Sequence, residues 1–151
     1  ELPRAYALRM ARAKLAIVSV RHVGAVVLAA DSVVVCGRRI LPKAETEAEA
    51  RQCLTLLSGR AHKVLTGIAA VAPDGRRASR LVETRLHVKR LTKAEIEAYV
   101  ASGEWKGKAG GYGIQGRAGA FILGLDGSYT GVVGLPLYET VNLLSGLGWR
   151  A

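Results

Sequence analysis

The chain has 151 residues, half of them hydrophobic, which is enough for one domain with a buried core. Its 22 lysines and arginines against 12 acidic residues give a net charge of +10. That charge suits an anionic partner, such as nucleic acid, a phosphorylated small molecule or a membrane surface. The sequence shows no signal peptide and no apolar run of the ~18 residues that span a membrane. It also shows no basic surface with interleaved aromatic residues of the kind that binds single-stranded nucleic acid. With Cys36 and Cys53 in apolar contexts, this favours a reduced, cytoplasmic protein.

The first predicted element is a helix over residues 3–16. Tyr6, Met10 and Ala13 recur at helical spacing and mark the face expected to be buried. The cations of this segment fall mostly on the other side, where we expect solvent: Arg4, Arg9, Arg12 and Lys14.

Residues 24–35, GAVVLAADSVVV, predict a buried central strand that is rich in valine. Asp31 and Ser32 interrupt it. A carboxylate in a buried strand is costly unless it is paired, hydrogen-bonded or bound to a metal, so Asp31 is the most informative single residue. The alternative is that the strand ends there and Asp31 caps a turn.

Two capping boxes predict where the next helices begin. Thr46 with Glu49 opens one that ends near Gly59, and Thr92 with Glu95 opens another that ends at Gly103. Between them, residues 62–72 and 78–88 predict a hairpin, because the turn sequence Pro-Asp-Gly separates two extended segments. The two histidines of the hairpin are too isolated to be proposed as metal ligands: His62 and His87.

The segment 106–116, KGKAGGYGIQG, holds five glycines and two lysines. Glycine lets the backbone approach a ligand closely, and lysine is a common phosphate partner. Gln115 offers both a donor and an acceptor, as recognition of a base edge requires. The functional interpretation is a phosphate loop with a base-reading side chain, and the alternative is a glycine-rich turn near a strand.

A strand over 118–125 and a helix from Pro136 to Gly146 complete the chain, with Leu137, Val141 and Leu144 expected to face inward. The order α-β-α-β-β-α-β-α predicts a single domain of α/β or α+β class with a mixed sheet.

Taken in order, these motifs resemble the Maf family over essentially the whole chain. The shared stretches are RMARAKL at 9–15, AADSVVV at 29–35, ILPK at 40–43, LSG at 57–59, HKVLTG at 62–67, VETRL at 82–86, SGEW at 102–105, KAGGYGIQG at 108–116 and GSYTGVVGLPLYET at 127–140. The sequence departs from the family pattern at Leu15, Ser32, Pro42 and Ala44. The family's opening Ser-x-Ser-Pro-Arg-Arg segment, which helps bind phosphates, has no counterpart in these residues, so we expect that N-terminal sequence is missing upstream of Glu1.

The resemblance implies a fold like that of the inosine triphosphate pyrophosphatases, with a long twisted mixed sheet, flanking helices and a cleft between two lobes. It implies hydrolysis of a nucleoside triphosphate to the monophosphate and pyrophosphate with a divalent cation, Mg²⁺ or Mn²⁺. The partner expected is therefore the nucleotide rather than nucleic acid, and no membrane is expected. The sequence leaves the oligomeric state open, a homodimer included.

The resemblance also implies roles for individual residues. Asp31 matches the family's proton acceptor, which either deprotonates the attacking water or holds the metal. Ser32 and Gln115 match positions that select the base, and glutamine at the latter is typical of the subgroup that prefers dTTP and UTP. The remaining candidates are Lys14 and Lys43 as phosphate-binding lysines, with Lys108 as a weaker one. Glu83 is expected either to bind a metal or to have a structural role.

Two other hypotheses stay open from the sequence. One is a nucleic-acid-binding module that uses the positive charge, although Asp31 in a strand is hard to explain for it. The other is a family member that binds nucleotide but has lost catalysis.

Overall fold

The computed structural model describes residues 1–150. Its helices are Pro3–Ser19 (α1), Glu47–Leu57 (α2), Lys93–Ser102 (α3), Tyr129–Val133 (α4) and Leu137–Gly146 (α5). Its strands are Val27–Cys36 (β1), Arg39–Leu41 (β2), Ala61–Val71 (β3), Arg77–Val88 (β4) and Ile122–Asp126 (β5), and a 3₁₀ helix covers Arg117–Phe121. The predicted α/β class is confirmed.

The strands form one sheet in the order β2-β1-β3-β4-β5. Every strand pair in the described residues is antiparallel, so the mixed pairing that we predicted is not what they show. Short turns join β1 to β2 and β3 to β4, and a short turn allows only antiparallel neighbours. The β1–β3 and β4–β5 pairs are antiparallel as well, although longer segments connect these strands. Strands β2 and β3 run in the same direction, but β1 lies between them.

The start signals in the sequence correctly place the middle helices. Thr46 accepts a hydrogen bond from the Glu49 amide at the start of α2, and Thr92 and Glu95 form a complete reciprocal capping box at α3. Gly59 and Gly103 have φ of 68° and 73°, the left-handed conformation that ends a helix and that glycine adopts without strain.

Helix α1 packs against one face of the sheet through small residues. Its buried residues are Ala7, Ala11 and Leu15, so the face predicted from Tyr6, Met10 and Ala13 was wrong: Tyr6 and Met10 are only half-buried and Ala13 is exposed. A Cβ at Gly67 of β3 would lie 2.6 Å from the Ala7 carbonyl oxygen. The helix therefore approaches the sheet as closely as a glycine permits.

The opposite face of the sheet carries two separate hydrophobic clusters. One joins α2, α3 and the 106–116 loop to the sheet around Val34, Val64 and Leu86. The other packs α5 on Ile68 and Ala70. A cleft between these clusters corresponds to the cleft between two lobes that the sequence predicted.

Three predictions for the last third of the chain were wrong in detail. Residues 118–121 are not strand but belong to the 3₁₀ helix, and β5 begins only at Ile122. Helix α4 was not predicted, because we interpreted its glycine-containing sequence only as a family motif. Of the three residues of α5 expected to face inward, Leu144 is buried as predicted, whereas Leu137 and Val141 are 52% and 45% exposed. The helix buries Thr140 and Leu143 in their place.

Candidate active site

A cavity of about 330 Å³ occupies the cleft. This lies within the usual size range of small-molecule sites. Six of the seven site residues predicted from the sequence line it: Lys14, Asp31, Ser32, Lys43, Lys108 and Gln115. Three lysines against one aspartate leave a surplus of two positive charges in the cavity, which favours a polyanionic ligand.

Asp31 lies in β1 opposite Gly67, and its side chain is 15% exposed. Its Oδ1 accepts a hydrogen bond of 2.5 Å from the Lys14 ammonium of α1. No residue in 1–150 donates to the other oxygen, Oδ2. Lys14 thus fixes the carboxylate through one oxygen and leaves the second for a ligand.

Asp31 and Ser32 are neighbours in a strand, so their side chains leave opposite faces of the sheet. Both nevertheless line the cavity, and the strand pairing explains why. Within residues 1–150, β2 pairs only with Val34–Cys36, so at Asp31 the strand β1 forms the edge of the sheet. The cavity reaches around this edge, and this part of β1 is half-buried rather than the fully buried central strand that we predicted.

Ser32 belongs to a short chain of hydroxyl groups. Its Oγ lies 2.8 Å from Oγ1 of Thr66 on β3, and Thr66 donates to the carbonyl oxygen of Gly131 at 3.0 Å. This chain connects β1, β3 and α4 across the floor of the cleft.

Lys43 follows β2 and pairs with the glycine-rich loop through a β-bridge to Ala109. The five glycine amides of the loop are hydrogen-bonded within the protein: those of Gly107, Gly110, Gly111, Gly113 and Gly116. These five amides are therefore engaged within the protein, so a phosphate contact from this loop would come from its side chains. Two of the glycines have a packing role instead, because a Cβ at Gly110 would lie 2.9 Å from Val34 and one at Gly111 would lie 3.1 Å from Cys53.

The long side chains around the loop are what the cavity presents to a ligand. Lys43, Lys108 and Gln115 are exposed, and none of them forms an ion pair or a side-chain hydrogen bond with the described residues. The ammonium and amide groups are thus free to meet a ligand.

Glu83 lies outside the cavity lining. It is on β4, where Arg4 contacts its Oε1 at 2.7 Å and Lys63 approaches its Oε2 to 3.7 Å. These two cations account for both oxygens structurally, whereas a metal-binding role for Glu83 stays a prediction.

A buried pair beside the cavity was missed by the sequence interpretation. The Nε2 atom of His62, on β3, lies 2.5 Å from the Tyr112 hydroxyl oxygen, and the two rings pack edge to face. Burial, followed by the nearby His87, lowers the pKa of His62 to about 4, and burial raises the pKa of Tyr112. Because Tyr112 lines the cavity, this neutral pair supports its wall. Both residues belong to motifs of the family resemblance, but no local sequence pattern indicates that their side chains contact each other.

Within residues 1–150, no group of three or more His, Cys, Asp or Glu side chains is placed to hold a metal by itself. A cation at this site would need phosphate oxygens or water as further ligands, which is how proteins usually bind Mg²⁺. Asp31, with one oxygen free and hard oxygen chemistry, fits that arrangement.

A family model described as Maf-like protein matches residues 1–147. The chain belongs to the Maf family. Among the relatives, a dTTP/UTP pyrophosphatase of Caulobacter vibrioides is 67% identical over 150 residues, which cover 99% of this chain and 78% of the relative. Those of Maricaulis maris and Paramagnetospirillum magneticum are 65% and 60% identical, over 99% of this chain and 71% and 78% of their own lengths.

Membership of the Maf family confirms the resemblance drawn from the sequence. None of the helices in residues 1–150 is both long enough and apolar enough to cross a bilayer. Cys36 and Cys53 are buried and free, as predicted.

Proposed function

We propose that this Maf protein hydrolyses nucleoside triphosphates of the dTTP and UTP type to the monophosphate and pyrophosphate. The observation that carries the proposal is the convergence of Asp31, three lysines and Gln115 on one cavity. The names of the relatives, dTTP/UTP pyrophosphatases, support it.

The reaction joins a water oxygen to the α-phosphorus and breaks the bond from that phosphorus to the bridging oxygen of the leaving pyrophosphate. The water loses a proton, and Asp31 would accept it through its unpaired oxygen; the free Oδ2 supports this role. Lys14 holds the carboxylate in position through the other oxygen. The contact also keeps the Lys14 ammonium in the cavity, where it would face the phosphates of a bound nucleotide.

Charge neutralisation is the other requirement, because negative charge accumulates on the phosphoryl oxygens as the bond breaks. Lys43 and Lys108 are free to contact the phosphates from the loop side of the cavity. The bridge between Lys43 and Ala109 fixes the backbone positions from which the two lysine side chains extend.

The proposal includes a divalent cation, Mg²⁺ or Mn²⁺. Asp31 would hold it together with substrate oxygens, and Glu83 is the weaker candidate because Arg4 and Lys63 already contact it. The bound cation would neutralise phosphate charge and acidify water. Whether Asp31 serves as the base, as the ligand or as both stays part of the proposal.

Selection of the base is assigned to Gln115 and Ser32. Thymine and uracil present an N–H donor beside a carbonyl acceptor, and a glutamine amide matches both. We propose that the reaction takes place in the cytoplasm, in keeping with two reduced cysteines. A homodimer is a separate proposal, to be tested by sedimentation.

The test is pyrophosphate release by the purified protein with dTTP, UTP, dCTP, ATP, GTP and 7-methyl-GTP, before and after treatment with a chelator and after return of Mg²⁺ or Mn²⁺. We expect dTTP and UTP to be the preferred substrates and chelation to stop turnover. Release of inorganic phosphate without pyrophosphate would contradict cleavage at the α-phosphorus. Binding of dTTP without turnover at any metal concentration would favour the alternative of a nucleotide-binding protein that lacks catalysis.

A further inference from the structure

Thr66 is almost fully buried in β3, with 1% of its surface exposed, and its hydroxyl has two neighbours in the cleft. One is the Gly131 carbonyl oxygen at 3.0 Å, and the other is the Ser32 hydroxyl at 2.8 Å. The first neighbour can only accept a hydrogen bond, whereas the second can donate or accept.

A hydroxyl group has a single proton, so Thr66 can donate to one neighbour only. If it donated to Ser32, the buried Gly131 carbonyl would lose the partner it has here, which is costly. Donation to Gly131 satisfies both groups. Ser32 must then donate its own proton to Thr66, and the direction of the whole chain is fixed.

The Gly131 carbonyl is itself held in place. Ser128 caps α4 by accepting a hydrogen bond of 2.9 Å from the Gly131 amide, and the Ser128 amide donates to Thr84 of β4 at 3.0 Å. A Cβ at Gly131 would lie 3.1 Å from the Ser128 hydroxyl oxygen, so the helix start is tightly packed. The acceptor that fixes the proton of Thr66 is therefore part of the docked helix and not of a loose loop.

With its proton committed to Thr66, Ser32 presents only lone pairs to the cavity. We propose that Thr66 is a positioning residue that makes Ser32 an obligate hydrogen-bond acceptor, and that Ser32 receives a hydrogen bond from a donor on the nucleoside. The donor is either a sugar hydroxyl or the imide N–H of the base. In the second case Gln115 contacts only the neighbouring carbonyl, because the N–H has a single proton. Ionised phosphate oxygens are excluded, because they too can only accept. This inference rests on the proposed function, since it assumes that the ligand is a pyrimidine nucleoside triphosphate.

The experiment compares three substrates that share one triphosphate: dTTP, its N3-methyl derivative and its 3′-deoxy derivative. Wild type and Ser32→Ala are measured with each, and Ser145→Ala on the exposed end of α5 is the matched control. With dTTP, Ser32→Ala should lower kcat/KM about tenfold or more. With the derivative that lacks the true donor the loss should vanish, which identifies the base or the sugar as the source. An equal loss with all three substrates would overturn the assignment of Ser32 as an acceptor from the nucleoside.

Thr66 is tested with Thr66→Val, which removes the hydroxyl at constant shape, and Thr66→Ser, which retains it. We expect the valine variant to show the same dependence on substrate as Ser32→Ala, and the serine variant to resemble wild type. If Thr66 had a purely structural role, its replacement would change kcat/KM equally for all substrates or change only the melting temperature. That result would refute the positioning role. If neither wild type nor any variant turns over dTTP, the proposed function fails. The affinities of the same proteins for the same three substrates are then compared by calorimetry, which tests the positioning role separately from the proposed function.

Discussion

Replacement of Asp31 by asparagine separates the catalytic role proposed for this residue from a structural one. Asparagine has the same shape and still offers a carbonyl oxygen to Lys14, but it cannot accept a proton from water. The ion pair that is lost has a lysine that is 46% exposed, so its contribution to stability is at most about 1 kcal/mol. In a domain of this size that corresponds to a fall in melting temperature of roughly 2–4 °C.

The expected effect on turnover is much larger. Loss of a general base or metal ligand should lower kcat at least ~10²-fold, equivalent to about 3 kcal/mol in the activation barrier. The assay is pyrophosphate release from dTTP at saturating substrate, together with thermal unfolding followed by circular dichroism. Glu97→Gln is the matched control, because Glu97 also pairs with a cation, Arg51 at 2.8 Å, but lies outside the cavity.

We expect the two variants to have similar melting temperatures and only Asp31→Asn to lose turnover. Near wild-type kcat in Asp31→Asn would refute the assignment of Asp31 as base or metal ligand. A large fall in melting temperature with a proportional loss of activity would instead show that the residue acts through the fold.

Three further changes test other parts of the site. Lys43→Ala should raise KM and lower kcat for triphosphates, because a phosphate contact helps both binding and charge neutralisation, and unchanged kinetics with reduced stability would assign the lysine to the fold. Gln115→Glu should lower kcat/KM for dTTP and UTP roughly tenfold, at the weak end of the ~1–3 kcal/mol range for a lost polar contact, because the side chain is exposed. The same change should raise the ratio of kcat/KM for 7-methyl-GTP to kcat/KM for dTTP. An unchanged order of preference would remove Gln115 from base selection. The pKa of His62 falls to about 4 on folding, so the unfolded chain binds more protons between pH 4 and 6.5 and the stability contributed by neutral His62 is lost as pH falls through that window. The free energy of unfolding should drop by about 2 kcal/mol more in wild type than in His62→Asn between pH 7.5 and 5. His87→Asn should stay close to wild type, because burial is the larger cause of the lowered pKa and His87 the smaller one, and equal pH dependence in all three would contradict this origin.

The sequence alone determined most of the local structure of this protein. The capping residues at Thr46 and Thr92 and the turn at residues 73–75 act within a few positions along the chain, so the helices and the hairpin they define could be predicted. The family resemblance carried the candidate site residues, six of which line one cavity. Where the local signal was weak, as in α4 and the start of β5, the prediction failed.

Only the tertiary structure decided how these residues meet. Alternation along a strand sends Asp31 and Ser32 to opposite faces, and they share a cavity because β1 is the edge of the sheet at that point. Glu83 lies elsewhere, paired with Arg4 across the face covered by α1. The direction of the hydroxyl chain through Thr66 depends on a carbonyl of α4, far along the sequence. Periodicity and capping report on neighbours in the chain, whereas a site is made by side chains that packing brings together from distant segments, and no local pattern contains that information.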